Sequence, residues 1–338
     1  MCLFGTILKQ WNSLKYATAQ LSSYQRQFKE VSIPVPWGHV SGKWWEPYNI
    51  RPILSLHGLQ DNCGTFDRLL PMLDKNVGFL AIDHPGHGLS SRLPFGIYYH
   101  FSSYLITINF IRTFMNWDSV SFLGHSLGGI LSYTYSMLYP ERVDFAICLD
   151  GAKPMVRTNS IKRMADALDK FHKYSAFADS LEEPPSYTID EIKEKLAKPN
   201  KNSVELQYTH FLMERNIAPS KKHPGKYYFT RDPRLKLGEL LSFSQDELIE
   251  HAQYMTSPIC IIKAKGSSYY EIKENFYTVL DVLKRTSRDC DFQYVEGTHH
   301  VHLNYPERVA GIVNSFIERH NVADRASGGM VEKMVVQN

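Results

Sequence analysis

Hydrophobic positions along the 338-residue chain fall into short apolar runs that alternate with longer segments of helical spacing. Short apolar runs bounded by Gly, Pro or Asp are typical of buried strands, whereas apolar residues three and four positions apart are typical of helices. This alternation predicts an α/β fold with a mostly parallel central sheet flanked by helices. The predicted strands are Val31–Pro36, His39–Trp45, Pro52–Leu56, Val77–Ile82, Ser119–Leu123, Phe145–Leu149, Ile259–Ala264 and Asp291–Val295. The predicted helices are Phe66–Leu73, Tyr98–Trp117, one ending near Tyr139, Ile272–Leu283 and Pro306–Glu318.

The alternation stops between residues 153 and 253, where the sequence is richer in charge. Helical patterns near Ile161–Ala176, Ile189–Leu196 and Val204–Met213 predict a helical cap that is inserted before the late strands. Residues 30–152 and 254–320 would then form the core. Ligands of open α/β sheets bind at the carboxyl ends of the strands, so the cap is expected to cover that edge. Residues 321–338 are predicted to be a flexible tail.

Net charge and cysteine content limit the classes of binding partner and the cellular compartment that the sequence favours. A formal net charge of +3 favours neither nucleic acid nor an anionic membrane as a partner, and no apolar stretch is long enough for an integral membrane segment. Five scattered cysteines without C-x-x-C spacing indicate a reducing, intracellular compartment, with the cytoplasm as the first expectation. Residues 1–29 carry four basic residues and no acid, which fits either a surface helix or an organelle presequence. The sequence does not indicate the oligomeric state.

The segment from Gly124 to Gly128 reads Gly-His-Ser-Leu-Gly and follows an apolar strand pattern. A Gly-x-Ser-x-Gly turn between a strand and a helix holds its serine in a strained conformation at the edge of a sheet, with the hydroxyl exposed. The glycines are needed because side chains would collide where strand and helix cross. The pattern therefore predicts Ser126 as a nucleophile.

A serine hydroxyl needs an adjacent base that is oriented by a carboxylate. His299 follows the last predicted strand and precedes the last helix, where the base of this arrangement is expected. The acid has two candidates. Asp150 comes directly after the strand Phe145–Leu149, whereas Glu271 comes several residues after the end of the strand Ile259–Ala264. We favour Asp150 and keep Glu271 as the alternative.

The tetrahedral intermediate of acyl transfer carries an oxyanion that backbone N–H groups can hold. The predicted oxyanion-hole donors are the amides of Leu127, directly after the serine, and of Leu59, in the loop after His57-Gly58. His57 is expected to brace that loop. No metal site is predicted, because the histidines at 299, 300 and 302 have no Cys or second His pair at ligand spacing. Phosphate-loop and dinucleotide fingerprints do not occur, so no cofactor is expected.

Taken together, these motifs resemble the α/β-hydrolase superfamily over about residues 30–320, and most closely the serine hydrolase-like (kraken-type) proteins. The resemblance implies a serine hydrolase that needs no cofactor. We expect this enzyme to hydrolyse a small-molecule ester or acyl substrate through a covalent acyl-enzyme. The absence of a carboxylate directly after Ile259–Ala264 departs from the commonest superfamily pattern. The alternatives are a non-catalytic ligand binder with the same fold and, less favoured, a serine peptidase. The motifs that carry the resemblance are His57–Asn62, Asp83–Ser90, Gly124–Gly128, His299-x-x-His302, Val35–His39, Ile262–Ala264 and Phe229–Leu235.

Overall fold

A computed structural model of the chain describes residues 26–180, 182–238, 240, 242–320 and 335–336. The strands are β1 (Phe28–Val35), β2 (Gly38–Trp45), β3 (Ile53–Leu56), β4 (Phe79–Ile82), β5 (Val120–His125), β6 (Val143–Leu149), β7 (Ser186–Tyr187), β8 (Ile217–Pro219), β9 (Tyr227–Phe229), β10 (Ile259–Ala264), β11 (Cys290–Val295) and β12 (Val335–Val336). The helices are α1 (Phe101–Phe114), α2 (Leu127–Leu138), α3 (Ser160–Asp179), α4 (Ile189–Ala197), α5 (Pro199–Asn202), α6 (Thr209–Asn216), α7 (Gln245–Ala252), α8 (Lys273–Thr286), α9 (Val301–Asn304) and α10 (Glu307–His320).

The main sheet has the strand order β11-β10-β6-β5-β3-β4-β2-β1-β12 among the described residues. Neighbours from β11 to β4 run parallel, and β2, β1 and β12 are added antiparallel at one edge. Because consecutive parallel strands share one carboxyl edge, the residues that follow β3, β5, β6 and β10 meet there. The predicted α/β class with a mostly parallel, helix-flanked sheet is confirmed.

Both faces of the sheet are buried. Phe122 of β5 packs into the apolar cluster on one face, and its neighbour Leu123 packs into the cluster on the other. Cys148 and Ile147 of β6 divide in the same way, as the two-residue period of a strand requires. Strands covered on both faces read as continuous apolar runs, which is why the sequence identified them.

The segment between β6 and β10 holds α3 to α7 and also a small antiparallel sheet of order β7-β9-β8. The expectation of helices alone was therefore incomplete. These strands are two or three residues long, which is too short for a periodic pattern to reveal. The helix expected over Val204–Met213 begins only at Thr209, after a 3₁₀ turn at Leu206–Tyr208.

The predicted helix Phe66–Leu73 is also wrong. The chain forms two 3₁₀ turns there, Cys63–Phe66 and Leu70–Met72. Pro71 lies in the second turn, and its missing N–H and its ring are incompatible with the interior of an α-helix. Proline thus prevents the two turns from joining.

The expected N-terminal segment (residues 1–29) and the expected flexible tail (residues 321–338) lie mainly outside the residues that the structure describes. The undescribed residues at the two ends are 1–25, 321–334 and 337–338. Phe28 already opens β1, and Val335–Val336 pairs antiparallel with β1. In the described part of the chain, no helix combines the length and the apolar content needed to cross a membrane.

Candidate active site

Ser126 occupies the turn that joins β5 to α2. Its φ of 52° and ψ of −114° lie in a region that non-glycine residues rarely adopt. Two glycines permit this turn. A Cβ on Gly124 would lie 2.3 Å from the carbonyl oxygen of Gly128, and a Cβ on Gly128 would lie 1.9 Å from the carbonyl oxygen of Leu56. The strand and helix therefore cross at a distance that only glycine allows, and the crossing aims the serine away from the sheet.

The structure brings Ser126, His299 and Asp150 together in one hydrogen-bonded chain. His299 Nε2 lies 2.9 Å from Ser126 Oγ, and His299 Nδ1 lies 2.5 Å from Asp150 Oδ2. A carboxylate only accepts hydrogen bonds, so Nδ1 carries the ring proton and Nε2 accepts from the serine hydroxyl. The residues follow three different strands, β5, β6 and β11, which is why only the folded chain assembles them.

Charges around the carboxylate favour its ionised form. Asp150 Oδ1 accepts hydrogen bonds from Lys263 Nζ at 2.8 Å and from the amide of Ala264 at 3.0 Å. Burial by itself would raise the pKa of Asp150, but the hydrogen bond from His299 and the charge of Lys263 outweigh it, and the pKa is lowered overall. Asp150 is therefore an anion at neutral pH.

Burial also controls the imidazole. Desolvation lowers the pKa of His299 below its ordinary value, although the hydrogen bond to Asp150 acts in the opposite direction. The ring is therefore neutral near pH 7. A neutral imidazole with its proton on Nδ1 can accept the hydroxyl proton of Ser126 at Nε2.

Glu271, the alternative acid, has other partners. Its carboxylate pairs with Lys153 Nζ at 2.6 Å and accepts a hydrogen bond from the amide of Val156 at 3.0 Å. Both partners lie just after β6, where the chain leaves the sheet. The structure therefore places Asp150 at the histidine and engages Glu271 in holding the start of the inserted segment.

The loop after β3 packs directly on the serine. A Cβ on Gly58 would lie 3.2 Å from the Cβ of Ser126, so the backbone that leads into Leu59 borders Ser126. Leu127 is the first residue of α2, and the N–H groups in the first turn of a helix have no acceptor within the helix. The two predicted oxyanion donors thus belong to segments that adjoin Ser126.

Three buried histidines support this loop, as expected for His57. The ring of His57 accepts the amide proton of His84 at 2.9 Å, and the ring of His87 accepts that of Gln60 at 2.9 Å. Burial lowers the pKa of His84 to about 3 and that of His87 to about 4. These rings are therefore neutral hydrogen-bonding braces over the physiological pH range.

Two features beside the site were not predicted from the sequence. The first is Lys263, which lies within the apolar strand β10; a charged residue in such a strand indicates a buried partner of opposite charge, and that partner is Asp150. The second feature is the approach of Asp61, His125 and His300, which forms the only group of possible metal ligands in the part of the chain that the structure describes. Its members are too far apart in the sequence for spacing to reveal them.

Charged pairs anchor the inserted segment to loops of the core. Arg215 of α6 contacts Asp83, which follows β4, at 2.9 Å. Asp232 binds Arg234 at 2.7 Å and accepts a hydrogen bond from Tyr99 at 3.0 Å. The guanidinium of Arg234 also donates to three carbonyls of loop 93–97. The Arg–Asp pair in the 229–235 motif is therefore an organising contact.

Comparison with known proteins agrees with this architecture. The family model for the alpha/beta hydrolase fold matches residues 51–261, so the chain belongs to the α/β-hydrolase family. Within it, the chain is 37% identical to the "Probable serine hydrolase" of Drosophila melanogaster, over 86% of this chain and 88% of the relative. It is 32% identical to the "Serine hydrolase-like protein" of Danio rerio, over 92% and 94% of the two chains. The predicted resemblance is confirmed.

Solved structures show the same fold. A hypothetical protein of Pseudomonas aeruginosa matches with a TM-score of 0.75 and 23% identity, over 86% of this chain and 100% of that one. The thioesterase domain from the curacin biosynthetic pathway matches with a TM-score of 0.69 and 16% identity, over 85% and 99%. Identities this low bear on the fold alone.

Proposed function

We propose that this chain is a serine hydrolase that cleaves carboxylic esters of small molecules through a covalent acyl-enzyme. The observation that carries the proposal is the continuous relay from Ser126 Oγ through His299 to Asp150, at 2.9 and 2.5 Å. A strained serine, a neutral imidazole and an ionised carboxylate are the parts that nucleophilic acyl transfer needs. Relatives named serine hydrolase-like proteins support the same class of chemistry.

In the first half-reaction, Ser126 Oγ attacks the ester carbonyl carbon while its proton moves to His299 Nε2. Asp150 stabilises the imidazolium that forms, because its carboxylate accepts the hydrogen bond from Nδ1. The amides of Leu59 and Leu127 hold the carbonyl oxygen as it becomes an anion, and each such donor contributes about 3–4 kcal/mol. The imidazolium then protonates the alkoxide, and the alcohol leaves.

The second half-reaction repeats these steps with water. His299 Nε2 takes a proton from a water molecule, and the hydroxide attacks the acyl carbon that is bound to Ser126 Oγ. The second tetrahedral intermediate collapses when the serine oxygen leaves and recovers the proton from the imidazolium. The products are a carboxylic acid and the free serine, and the relay returns to its starting state without a cofactor.

Residues 153–253 are proposed to cap the site, and residues 30–152 and 254–320 to form the catalytic core. The support is the position of the insertion, because it leaves the sheet after β6 at the edge where Ser126 lies. The Arg215–Asp83 pair gives this segment a fixed anchor on the core, since both side chains are buried. A cap at this edge would exclude water and select substrates by shape.

We also propose an intracellular location, in the cytoplasm or an organelle. The support is that Cys63, Cys148, Cys260 and Cys290 are all free thiols, the first three of them buried. Free cysteines at such positions are typical of proteins in reducing compartments.

Hydrolysis of 4-nitrophenyl esters of graded acyl length tests the proposed activity. We compare the wild type with Ser126→Ala and with Ser242→Ala, a control at an exposed serine. We expect the wild type and the control to hydrolyse the esters, and Ser126→Ala to lose at least about a thousandfold in kcat. Turnover of peptides alone would indicate a peptidase. A folded wild type that cleaves neither would refute hydrolysis and favour a ligand binder.

A further inference from the structure

Asp61, His125 and His300 converge behind the nucleophile, outside the relay just described. Asp61 Oδ2 lies 3.4 Å from His300 Nε2 and 3.9 Å from His125 Nδ1, and the three atoms lie within 4.8 Å of one another. Asp61 and His125 are 4% and 0% exposed, and the side chain of His300 is 12% exposed. Three potential ligand atoms therefore face one buried point.

Two of these atoms have unsatisfied hydrogen-bonding capacity. Asp61 Oδ2 and His125 Nδ1 are buried, and neither has a hydrogen-bond partner among the described residues. The third atom, His300 Nε2, is too far from Asp61 Oδ2 at 3.4 Å to form a strong hydrogen bond with it. Buried polar atoms in native proteins nearly always have a partner, so this cluster calls for one.

The opposite side of each ligand is already held. His125 Nε2 donates to the carbonyl oxygen of His299 at 3.0 Å, which leaves the lone pair on Nδ1 facing the cluster. His300 Nδ1 binds Ser203 Oγ at 2.8 Å, and Asp61 Oδ1 accepts the amide proton of Asn62 at 2.9 Å. Metal-binding histidines nearly always donate a hydrogen bond from the N–H of their second ring nitrogen to an oxygen, which fixes the tautomer and the ring orientation.

We propose that Asp61, His125 and His300 form a binding site for a divalent transition-metal ion, with Zn²⁺ as the best match. Two imidazole nitrogens and one carboxylate oxygen are a common zinc donor set, and water would complete a tetrahedron. Metal–ligand bonds of about 2.0–2.1 Å place neighbouring ligand atoms roughly 3.3 Å apart. The separations of Asp61 Oδ2 from the two imidazole nitrogens, 3.4 and 3.9 Å, are close to that value, and all three ligand atoms lie within 4.8 Å of one another, so the side chains would draw together around the ion.

The ion would stabilise the segment that carries the base of the relay. His300 directly follows His299, and His125 holds the carbonyl of His299 by its hydrogen bond. A metal that binds both rings would tie the 297–302 loop to the elbow and to the loop of Asp61. The positive charge of Arg231, which acts on Asp61, opposes cation binding and sets a limit on the affinity. This site goes beyond the proposed function and does not depend on ester hydrolysis.

Titration of the chelator-treated, tag-free full chain with Co²⁺ tests the site, with the visible absorption of four-coordinate Co²⁺ as the readout. We expect one equivalent to bind and Zn²⁺ to displace it. Ser126→Ala should bind equally, which separates this test from that of the hydrolase activity. The control His210→Gln, at an exposed histidine, should also bind equally.

Loss of a ligand supplies the decisive comparison. His300→Gln and Asp61→Asn should each weaken binding by at least about tenfold and abolish the increase in the thermal unfolding midpoint with Zn²⁺. His300→Gln carries the test if Asp61→Asn does not fold, because His300 is the least buried ligand. Equal binding by the wild type and a folded ligand variant, or no stoichiometric binding by the wild type, would overturn the proposal.

Discussion

Replacing Asp150 by Asn removes the charge of the proposed acid and keeps its shape. Two donors, Lys263 Nζ at 2.8 Å and the amide of Ala264 at 3.0 Å, face Oδ1 and would hold the new amide oxygen there. The amide nitrogen must then face His299 Nδ1. That nitrogen can accept from the amide only if the ring proton moves to Nε2, and a protonated Nε2 cannot take the proton of Ser126.

The magnitude follows from this wrong tautomer. In Ser-His-Asp enzymes the same change lowers kcat by about ten-thousandfold, which corresponds to roughly 5 kcal/mol of barrier. Loss of the negative partner of buried Lys263 is also expected to lower the free energy of unfolding by about 3 kcal/mol. Folding of the variant is therefore verified by circular dichroism before its rate is interpreted.

The assay is the steady-state hydrolysis of the best 4-nitrophenyl ester, with Glu271→Gln as the matched control. Glu271 pairs with Lys153 at 2.6 Å, away from the relay, so its variant should keep kcat within about tenfold of the wild type. Asp150 is not the acid if its folded Asn variant keeps nearly full activity while Glu271→Gln loses activity.

Three further predictions concern packing and pH. Gly128→Ala should yield little folded protein or a strongly lowered unfolding midpoint, because the new Cβ would lie 1.9 Å from a carbonyl oxygen of β3. The control Gly311→Ala places its Cβ in open space on α10, so its free energy of unfolding, measured with urea, should increase by roughly 0.5–1 kcal/mol. His84 and His87 stay neutral in the folded protein, with pKa values of about 3 and 4, but take up protons near pH 6.5 in the unfolded chain. The free energy of unfolding should therefore decrease as the pH falls below 6.5, by about 2 kcal/mol for each histidine at pH 5. An unfolding free energy that does not change between about pH 7 and pH 5 would contradict this. Lys263→Met should raise the pKa of His299, because it removes a nearby positive charge. The acid limb of the kcat/KM profile should then move to higher pH, and a shift to lower pH would contradict the electrostatic role of Lys263.

The sequence was most informative where local chemistry determines structure. Strands such as β10 matched their apolar runs to the residue, because burial on both faces makes nearly every position apolar, Lys263 being the exception within β10. The elbow at Ser126 was readable because only glycine fits at 124 and 128. Order along the chain then located His299 and favoured Asp150, without any information about distances.

The rest required the fold. The choice between Asp150 and Glu271 depended on which carboxylate the parallel strands bring to His299, and spacing does not encode that distance. Lys263 was hidden inside an apolar strand, and its role depends on a neighbouring strand of the sheet. The small sheet β7-β9-β8 was missed because tertiary pairing, and not local propensity, creates strands of two or three residues.

Covalent labelling with a fluorophosphonate probe tests the central claim, that the fold activates Ser126, most directly. We expect one adduct per chain by intact mass, located at Ser126 by peptide mapping, absent in Ser126→Ala and formed more slowly in Asp150→Asn. A folded wild-type protein that forms no adduct, or a Ser126→Ala variant that still reacts at the same rate, would contradict it.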